Sequence, residues 1–199
     1  MAQAKGEKKS GDLAQILDFA GPRRALTYVG MALSAASQLV GFVPYVCIWL
    51  AARDLIAVAP NWQAATGIAR YGWWAVGAAA LGIALYFLAL MCTHLAAFRT
   101  ASNMRKQVSE HLMRLPLGYF DTHASGELRR IVDGCAASTE TLLAHMLPDV
   151  AGSTAMVAGM LVILFVFDWR LGSACMVAVV ISIAALMAMM SGEGMKFMK

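Results

Sequence analysis

The sequence predicts an all-α membrane protein with four transmembrane helices. Hydrophobic residues make up 60% and charged residues 14% of the 199 positions, whereas soluble domains are roughly 45–50% apolar and 25% charged. Crossing about 30 Å of hydrocarbon requires roughly 20 apolar residues. Four segments without Asp, Glu, Lys or Arg have about that length, and they are the predicted spans: residues 25–52, 71–98, 150–167 and 171–192.

The basic residues predict how these spans are oriented. Thirteen of the 16 Lys and Arg residues lie before the first span, between the second and third, or after the fourth. Only Arg53, Arg70 and Arg170 lie on the opposite side. Because cytoplasmic loops are enriched in Lys and Arg, we expect a multi-pass protein of the cell inner (plasma) membrane with both termini in the cytoplasm. The net charge of +4 is too small to indicate a nucleic-acid partner.

A short amphipathic helix is predicted before the first span. Residues 1–11 are polar and are expected to be flexible, whereas residues 12–22 carry apolar side chains on one helical face. That face comprises Leu13, Ile16, Leu17 and Ala20. We expect an interfacial elbow helix on the membrane surface, ended by Gly21 and Pro22.

The first span has one polar or small face, formed by Ser34, Gln38, Gly41 and Tyr45. Pro44 predicts a kink. Such a face either packs against another helix, which is its more common use, or lines a substrate path. The candidates for lining a pathway, chosen for polarity and aromatic character, are Gln38, Tyr45 and Trp49.

Helical periodicity continues beyond the second span. Its apolar stripe comprises Phe98, Ala101, Met104, Val108, Leu112 and Leu115. One helix is therefore predicted from Trp73 to Leu115, roughly 65 Å long and about twice the hydrocarbon thickness. Its second half is expected to project into the cytoplasm.

A second long helix is predicted from Gly126 to Phe167, with Ser125 as its N-cap and Glu127 in its first turn. Its apolar stripe comprises Leu128, Ile131, Val132, Cys135, Leu142 and Met146. We expect the two stripes to face each other in a cytoplasmic extension over residues 99–149. A helix lying flat on the membrane is the alternative, which the similar lengths of the two helices disfavour.

Residues 116–124 connect these helices and contain two aromatic residues, Tyr119 and Phe120. Large apolar groups at an exposed loop tip usually mark an interface. A loop folded on itself is the alternative interpretation.

No catalytic, ATP-binding or metal-binding pattern is present in the sequence. It contains no G-x-x-x-x-G-K-[ST] phosphate loop and no H-E-x-x-H motif. The four cysteines are assigned no chemistry, and the four histidines are scattered singly. No carboxylate lies within the four spans, so a pump built from this chain would take its energy from outside it.

The chain resembles the exporter-fold (type IV) ABC transporter transmembrane domain, from its elbow helix to the fourth of its six helices. The resemblance depends on the segment Arg114-Leu115-Pro116-Leu117-Gly118-Tyr119-Phe120-Asp121, on Ser125-Gly126-Glu127-Leu128, on Asp133, and on Asp168-Trp169-Arg170-Leu171. It implies a coupling helix that contacts nucleotide-binding domains, formed by or beside Tyr119, Phe120, Asp121 and Thr122. It also implies that ATP and Mg²⁺ are bound by those domains and not by this chain.

A finer resemblance is to half-transporters of the bacterial siderophore-uptake branch, through residues 143–149 and 191–196. The family's fifth and sixth helices, second intracellular loop and ATPase domain have no counterpart in these 199 residues. We therefore expect a fragment or a truncated product.

Two functional hypotheses remain. The first is a transport subunit that forms the substrate pathway in membrane lipid, together with nucleotide-binding domains and a second transmembrane domain as homodimer or heterodimer. The second is a non-transporting scaffold or regulator that binds a cytoplasmic partner through residues 116–124. A membrane-embedded enzyme is disfavoured because no catalytic constellation is visible, although the full-length parent would hydrolyse ATP.

Overall fold

The computed structural model describes residues 12–190, which contain eight α-helices and no strand. The helices are α1 (Asp12–Ala20), α2 (Arg24–Val40), α3 (Val43–Ala57), α4 (Ile68–Met113), α5 (Gly118–Thr122), α6 (Ser125–Thr141), α7 (Leu147–Phe167) and α8 (Trp169–Met190). Within this part of the chain, four helical segments are long and apolar enough to cross a membrane, as predicted. The chain forms two compact units, one ending at Ser153 and one beginning at Thr154.

The elbow helix α1 uses its apolar face for packing against protein. Leu17 and Ala20 are buried, and Leu17 lies in a core cluster with Ala97 of α4 and with Leu143 and Ala144. Gly21, with a φ of 56°, ends the helix in the left-handed conformation that favours glycine. The Asn103 side chain of α4 donates a 3.0 Å hydrogen bond to the Phe19 carbonyl, which satisfies one of the terminal carbonyls of α1.

The first predicted span is divided into two helices, α2 and α3. The break lies at Gly41 and Phe42, three residues before the kink predicted at Pro44. Proline has no N–H to donate to the carbonyl four residues earlier, here that of Val40, which is the last residue of α2. Pro44 itself lies in the first turn of α3, where the missing N–H has no cost.

Helix α4 is the central element of the first unit, and α1, α2, α3 and α6 all pack against it. It contains 46 residues and is about 69 Å long. It begins five residues before the predicted start at Trp73 and ends two residues before the predicted end at Leu115. Its buried residues are small or carry a hydroxyl group: Gly82, Ala89, Thr93, Ala96, Ala97, Thr100 and Ala101.

The second long helix consists of α6, a π-helical turn over Leu142–Met146, and α7. The predicted N-cap is wrong by one residue, because Ala124 holds the N-cap position in an extended conformation and Ser125 is already helical. Glu127 lies in the first turn, as predicted, where its charge complements the helix dipole.

The predicted packing of α4 against α6 is confirmed, and the stripe read in the sequence is confirmed in part, since Ala101 is buried and Leu112 and Leu128 are partly buried. Phe98 of α4 and Ile131, Cys135 and Met146 of the second helix are exposed. Outside that stripe, the small residues Ala97, Ala136 and Thr139 are buried, as is Leu143. Close approach of the two helices favours the small side chains over the larger apolar ones.

In the second unit, a single residue separates α7 from α8. The Asp168 carboxylate accepts a 2.8 Å hydrogen bond from the Arg170 backbone N–H, which satisfies a donor at the start of α8. A Cβ at Gly172 would lie 2.7 Å from the Phe165 ring, so only glycine allows the ring to sit against the backbone there. The predicted short turn between the third and fourth spans is confirmed.

Candidate functional site

The candidate site is the tip between α4 and α6, where the five-residue helix α5 lies. Pro116 disfavours a helical conformation for the residue before it, so α4 ends there and the chain turns. The Tyr119 and Phe120 N–H groups donate to the Pro116 and Leu117 carbonyls at 3.0 and 2.9 Å. One short turn of helix therefore begins immediately after the proline.

Ring contacts within α5 fix its aromatic residues. The Tyr119 ring stacks on the His123 ring with centroids 4.2 Å apart and planes 7° apart. Tyr119 and Phe120 meet edge to face, with centroids 5.6 Å apart. These rings hold one another in place without a large buried core beneath them.

Phe120 faces the groove between the two helices rather than solvent alone. It lines a cavity of about 410 Å³, together with residues of α4 and α6. The other lining residues are Arg105, Ser109, Leu112, Ser125, Leu128, Arg129, Val132 and Asp133. Phe120 is 39% exposed, so it both anchors the tip and remains accessible at one edge.

The most exposed apolar side chains of the tip are Leu117, at 86%, and Met113, at 77%. Sequence reasoning chose the aromatic residues and did not single out these two. Asp121 is also exposed, while the Thr122 side chain lies outside the described residues.

An ion-pair arrangement joins α4 to α6 beside this groove. Arg105 Nε lies 3.4 Å from Asp133 Oδ1, and Arg129 Nε lies 3.6 Å from Asp133 Oδ2. The Asp133 carboxylate is thus shared by a guanidinium from each helix. All three side chains are at least 42% exposed, so the ion pairs contribute little to the free energy of unfolding and mainly orient α4 and α6 relative to each other.

The three pathway candidates of the first span lie on both sides of its break. Gln38, on α2, is partly buried, and a Cβ at Gly152 would lie 3.3 Å from its Cγ, which indicates a packing role. Tyr45 and Trp49 both lie on α3 and are 70% and 44% exposed. The Arg53 guanidinium carbon lies 5.2 Å from the Trp49 ring centre.

The structure brings together two of the four histidines that the sequence shows as scattered. The rings of His94 in α4 and His145 in the π turn have centroids 4.8 Å apart and meet edge to face. Among the described residues, no group of three or more His, Cys, Asp or Glu side chains could hold a metal ion.

The fold has four helical segments long and apolar enough to cross a membrane, and two of them continue past their apolar runs to the tip. Residues 28–193 match the family described as the ABC transporter transmembrane region, and the chain belongs to that family. The resemblance read from the sequence is thereby confirmed.

Similar proteins within this family include two import proteins. The chain is 29% identical over 180 residues to the mycobactin import ATP-binding/permease protein IrtA of Mycolicibacterium smegmatis, covering 88% of this chain and 20% of that protein. It is 28% identical over 169 residues to the protein of the same name from Mycobacterium tuberculosis, covering 85% and 19%.

An ATP-dependent lipid A-core flippase of Idiomarina loihiensis is 29% identical over 86 residues, covering 43% of this chain and 14% of the flippase. The chain therefore spans about a fifth of the length of the import proteins it matches.

Proposed function

We propose that this chain forms part of the membrane domain of an ATP-driven transporter, in which the tip transmits movements of a nucleotide-binding domain to a substrate pathway. The observation that carries the proposal is the exposed apolar surface of Leu117 and Met113, held at the end of two packed helices. The 15 residues of α4 after the apolar run, Arg99 to Met113, place this surface about 22 Å beyond the membrane-spanning part.

ATP and Mg²⁺ would be bound by the nucleotide-binding domain and not by this chain. The sequence has no phosphate loop. Two of the similar proteins carry names that combine ATP binding with a permease, which supports a partner of this kind. The role of this chain would be to transmit movement: α5 would contact the nucleotide-binding domain, and α4 and α6 would carry that movement to the membrane-spanning part.

A second transmembrane domain, identical or homologous, would complete the pathway in membrane lipid. Tyr45 and Trp49 are exposed on α3 and are available to face such a pathway, whereas Gln38 is partly used in packing. The names of the import proteins support a siderophore or metal chelate as the substrate class. The distribution of Lys and Arg supports an inner-membrane protein with cytoplasmic termini.

The experiment that tests the proposal is site-specific crosslinking from the tip. The four native cysteines are first replaced by alanine, since Cys135 is exposed. Leu117→Cys is then crosslinked in membranes to a co-expressed ATPase domain, with and without nucleotide. Gly134→Cys, on an exposed position of α6 away from the tip, is the matched control.

Nucleotide-sensitive crosslinks from position 117 and none from position 134 are expected. A correctly inserted chain that gives no crosslink from position 117 would contradict the proposal and favour a scaffold with another partner. In a transporting assembly, Tyr45→Ala and Trp49→Ala are expected to change substrate-stimulated transport and to leave basal ATPase activity unchanged. Unchanged uptake and efflux in both variants would remove these residues from the pathway.

A further inference from the structure

The π turn between α6 and α7 coincides with a defect in the backbone hydrogen bonds of the helix. In a regular helix the N–H of residue 148 would donate to the Ala144 carbonyl, and Pro148 has no N–H. The π turn over Leu142–Met146 ends two residues before this proline. Ala144 is buried, so its carbonyl needs a donor from the protein.

The Thr93 side chain of α4 supplies that donor. Its hydroxyl oxygen lies 3.1 Å from the Ala144 carbonyl oxygen and 3.2 Å from the Leu90 carbonyl oxygen. Thr93 is fully buried, and α2 covers it, because a Cβ at Gly30 would overlap the Thr93 methyl group. The buried hydroxyl has one hydrogen and two carbonyl oxygens within reach, and when it donates to the Ala144 carbonyl it replaces the missing N–H.

A second hydroxyl holds the next turn of the same helix. Ser34 of α2 is buried and donates a 2.8 Å hydrogen bond to the Pro148 carbonyl. A Cβ at Gly152 would lie 2.8 Å from Ser34 Oγ, so the backbone of α7 approaches α2 closely here. Two neighbouring helices thus hold the segment on both sides of the π turn.

The π turn changes which residues share a face. Along the helix the buried positions are Ala136, Thr139, Leu143, Ala144, Pro148 and Gly152, so two adjacent residues are buried within the π turn. One additional residue rotates the rest of the helix by about 100° around its axis. The π turn therefore lies between Leu143, which packs with Leu17 and Ala97, and Pro148, whose carbonyl accepts the hydrogen bond of Ser34.

We propose that Thr93 is a positioning residue: its hydrogen bond to the Ala144 carbonyl holds the π turn, and the π turn sets the rotation of α6 about its axis. Through α6, Thr93 determines where Asp133 and the tip lie relative to α4. This consequence for the tip rests on the proposed function, whereas the effect on the rotation of α6 does not.

The rotation of α6 can be measured by thiol labelling of the full chain in membranes with a charged reagent. Two reporters lie side by side: the native Cys135, which is exposed, and Ala136→Cys at a position that is 1% exposed. The other native cysteines are replaced by alanine in each case. The parent is expected to label rapidly at position 135 and slowly at position 136.

Four substitutions separate hydrogen bonding from packing. Thr93→Val keeps the shape and removes the hydroxyl, while Thr93→Ser keeps the hydroxyl and removes the methyl group. Pro148→Ala restores an N–H that can donate to the Ala144 carbonyl. Thr141→Val is the matched control, since Thr141 is exposed and donates only within α6, to the Ala137 carbonyl.

Thr93→Val is expected to raise the labelling rate at position 136 about ten-fold, because the unpaired Ala144 carbonyl no longer holds the π turn and α6 can turn the face that carries position 136 toward solvent. Thr93→Ser and Thr141→Val are expected to stay within about two-fold of the parent, and Pro148→Ala is expected to suppress the effect of Thr93→Val. If Thr93→Val fails to insert, restored insertion in the double variant supports the proposal.

Three outcomes would overturn it: labelling unchanged by Thr93→Val, an equal effect of Thr93→Ser, or no suppression by Pro148→Ala. Crosslinking from Leu117→Cys separates this proposal from the proposed function. Labelling that behaves as expected without any crosslink to an ATPase domain would reject the transport role and keep the role of Thr93. Nucleotide-sensitive crosslinking together with labelling that Thr93→Val leaves unchanged would support the transport role and reject the role of Thr93.

Discussion

The junction and the tip of this chain are held together in different ways. At the junction, where α2, α4 and the π turn meet, backbones approach closely through Gly30 and Gly152, and Ser34 and Thr93 donate hydrogen bonds to carbonyls of the neighbouring helix. At the tip, Leu117, the residue before the five-residue helix α5, is 86% exposed. The comparison shows that close packing holds the helices at the junction together, whereas the apolar surface of the tip remains available for a partner.

The largest effect on stability is expected at the junction. Gly30→Ala would place a methyl group against Thr93 and 3.1 Å from the Ala89 carbonyl oxygen, which is backbone and cannot move aside easily. We expect the free energy of unfolding to fall by about 1–3 kcal/mol, as overpacking usually costs. The measurement is unfolding in detergent micelles, followed by circular dichroism.

Gly77→Ala is the matched control for that substitution. A Cβ at Gly77 would meet nothing within 4 Å, and Gly77 lies in α4, the helix against which α2 packs. Little change or a small stabilisation is expected, since alanine is the better helix former. Equal losses at both glycines would show that the junction is not packed as described.

An intermediate effect is expected at the base of the tip. Phe120→Ala removes a partly buried ring from the groove between α4 and α6. A loss of about 1–2 kcal/mol is expected, below the 3–5 kcal/mol typical of fully buried aromatic residues. Unfolding in the same micelles measures the loss of free energy. A loss as large as that of a fully buried ring would show that Phe120 is part of the packed core and not of the exposed tip.

A smaller effect is expected for the ion pairs. Asp133→Asn removes the partner of both Arg105 and Arg129, and these side chains are largely exposed. A double-mutant cycle with Arg105→Gln is expected to give a coupling energy of about 0.2–1 kcal/mol that decreases with added salt. A larger coupling that is insensitive to salt would contradict the solvated geometry of this arrangement.

The smallest effect on stability, and a large effect on partner binding, is expected at Leu117. Leu117→Ala should change the free energy of unfolding by no more than about 0.5 kcal/mol, since the side chain is 86% exposed. Crosslinking from Met113→Cys to an ATPase domain is expected to fall several-fold, as for a contact residue at the centre of an interface. If Leu117→Ala lowered the free energy of unfolding and left crosslinking unchanged, Leu117 would be a packing residue and not a contact residue.

Local patterns predicted the helices well because they depend on composition and on nearby residues. The charge-free segments predicted the spans, and Pro116 and the continuing periodicity predicted α4 and its end near the tip. The break in the first span was predicted at Pro44 and lies at Gly41, because the effect of a proline falls on the carbonyl four residues earlier. The candidate coupling residues Tyr119, Phe120, Asp121 and Thr122 all lie on one short helix, α5, and their coupling role stays a prediction.

Packing partners were less predictable, since they depend on helices that are distant in sequence. The sequence favoured Phe98, Ile131 and Cys135 as buried residues by hydrophobicity, and the structure buries Ala97, Ala136 and Thr139 instead. Hydrophobic periodicity identifies the apolar face of a helix, but it does not specify which residues of that face meet a close neighbour and which remain at its edge.

The sequence by itself determined that this chain is a four-span helical membrane protein of the ABC transporter family, since apolar length, charge distribution and the tip motif are all local properties. Only the tertiary structure decided how the helices are joined. The donor that replaces the N–H missing at Pro148 is the Thr93 hydroxyl, 51 residues away from the carbonyl it serves. No local pattern specifies that pairing, because it exists only once α4 and the π turn are packed together.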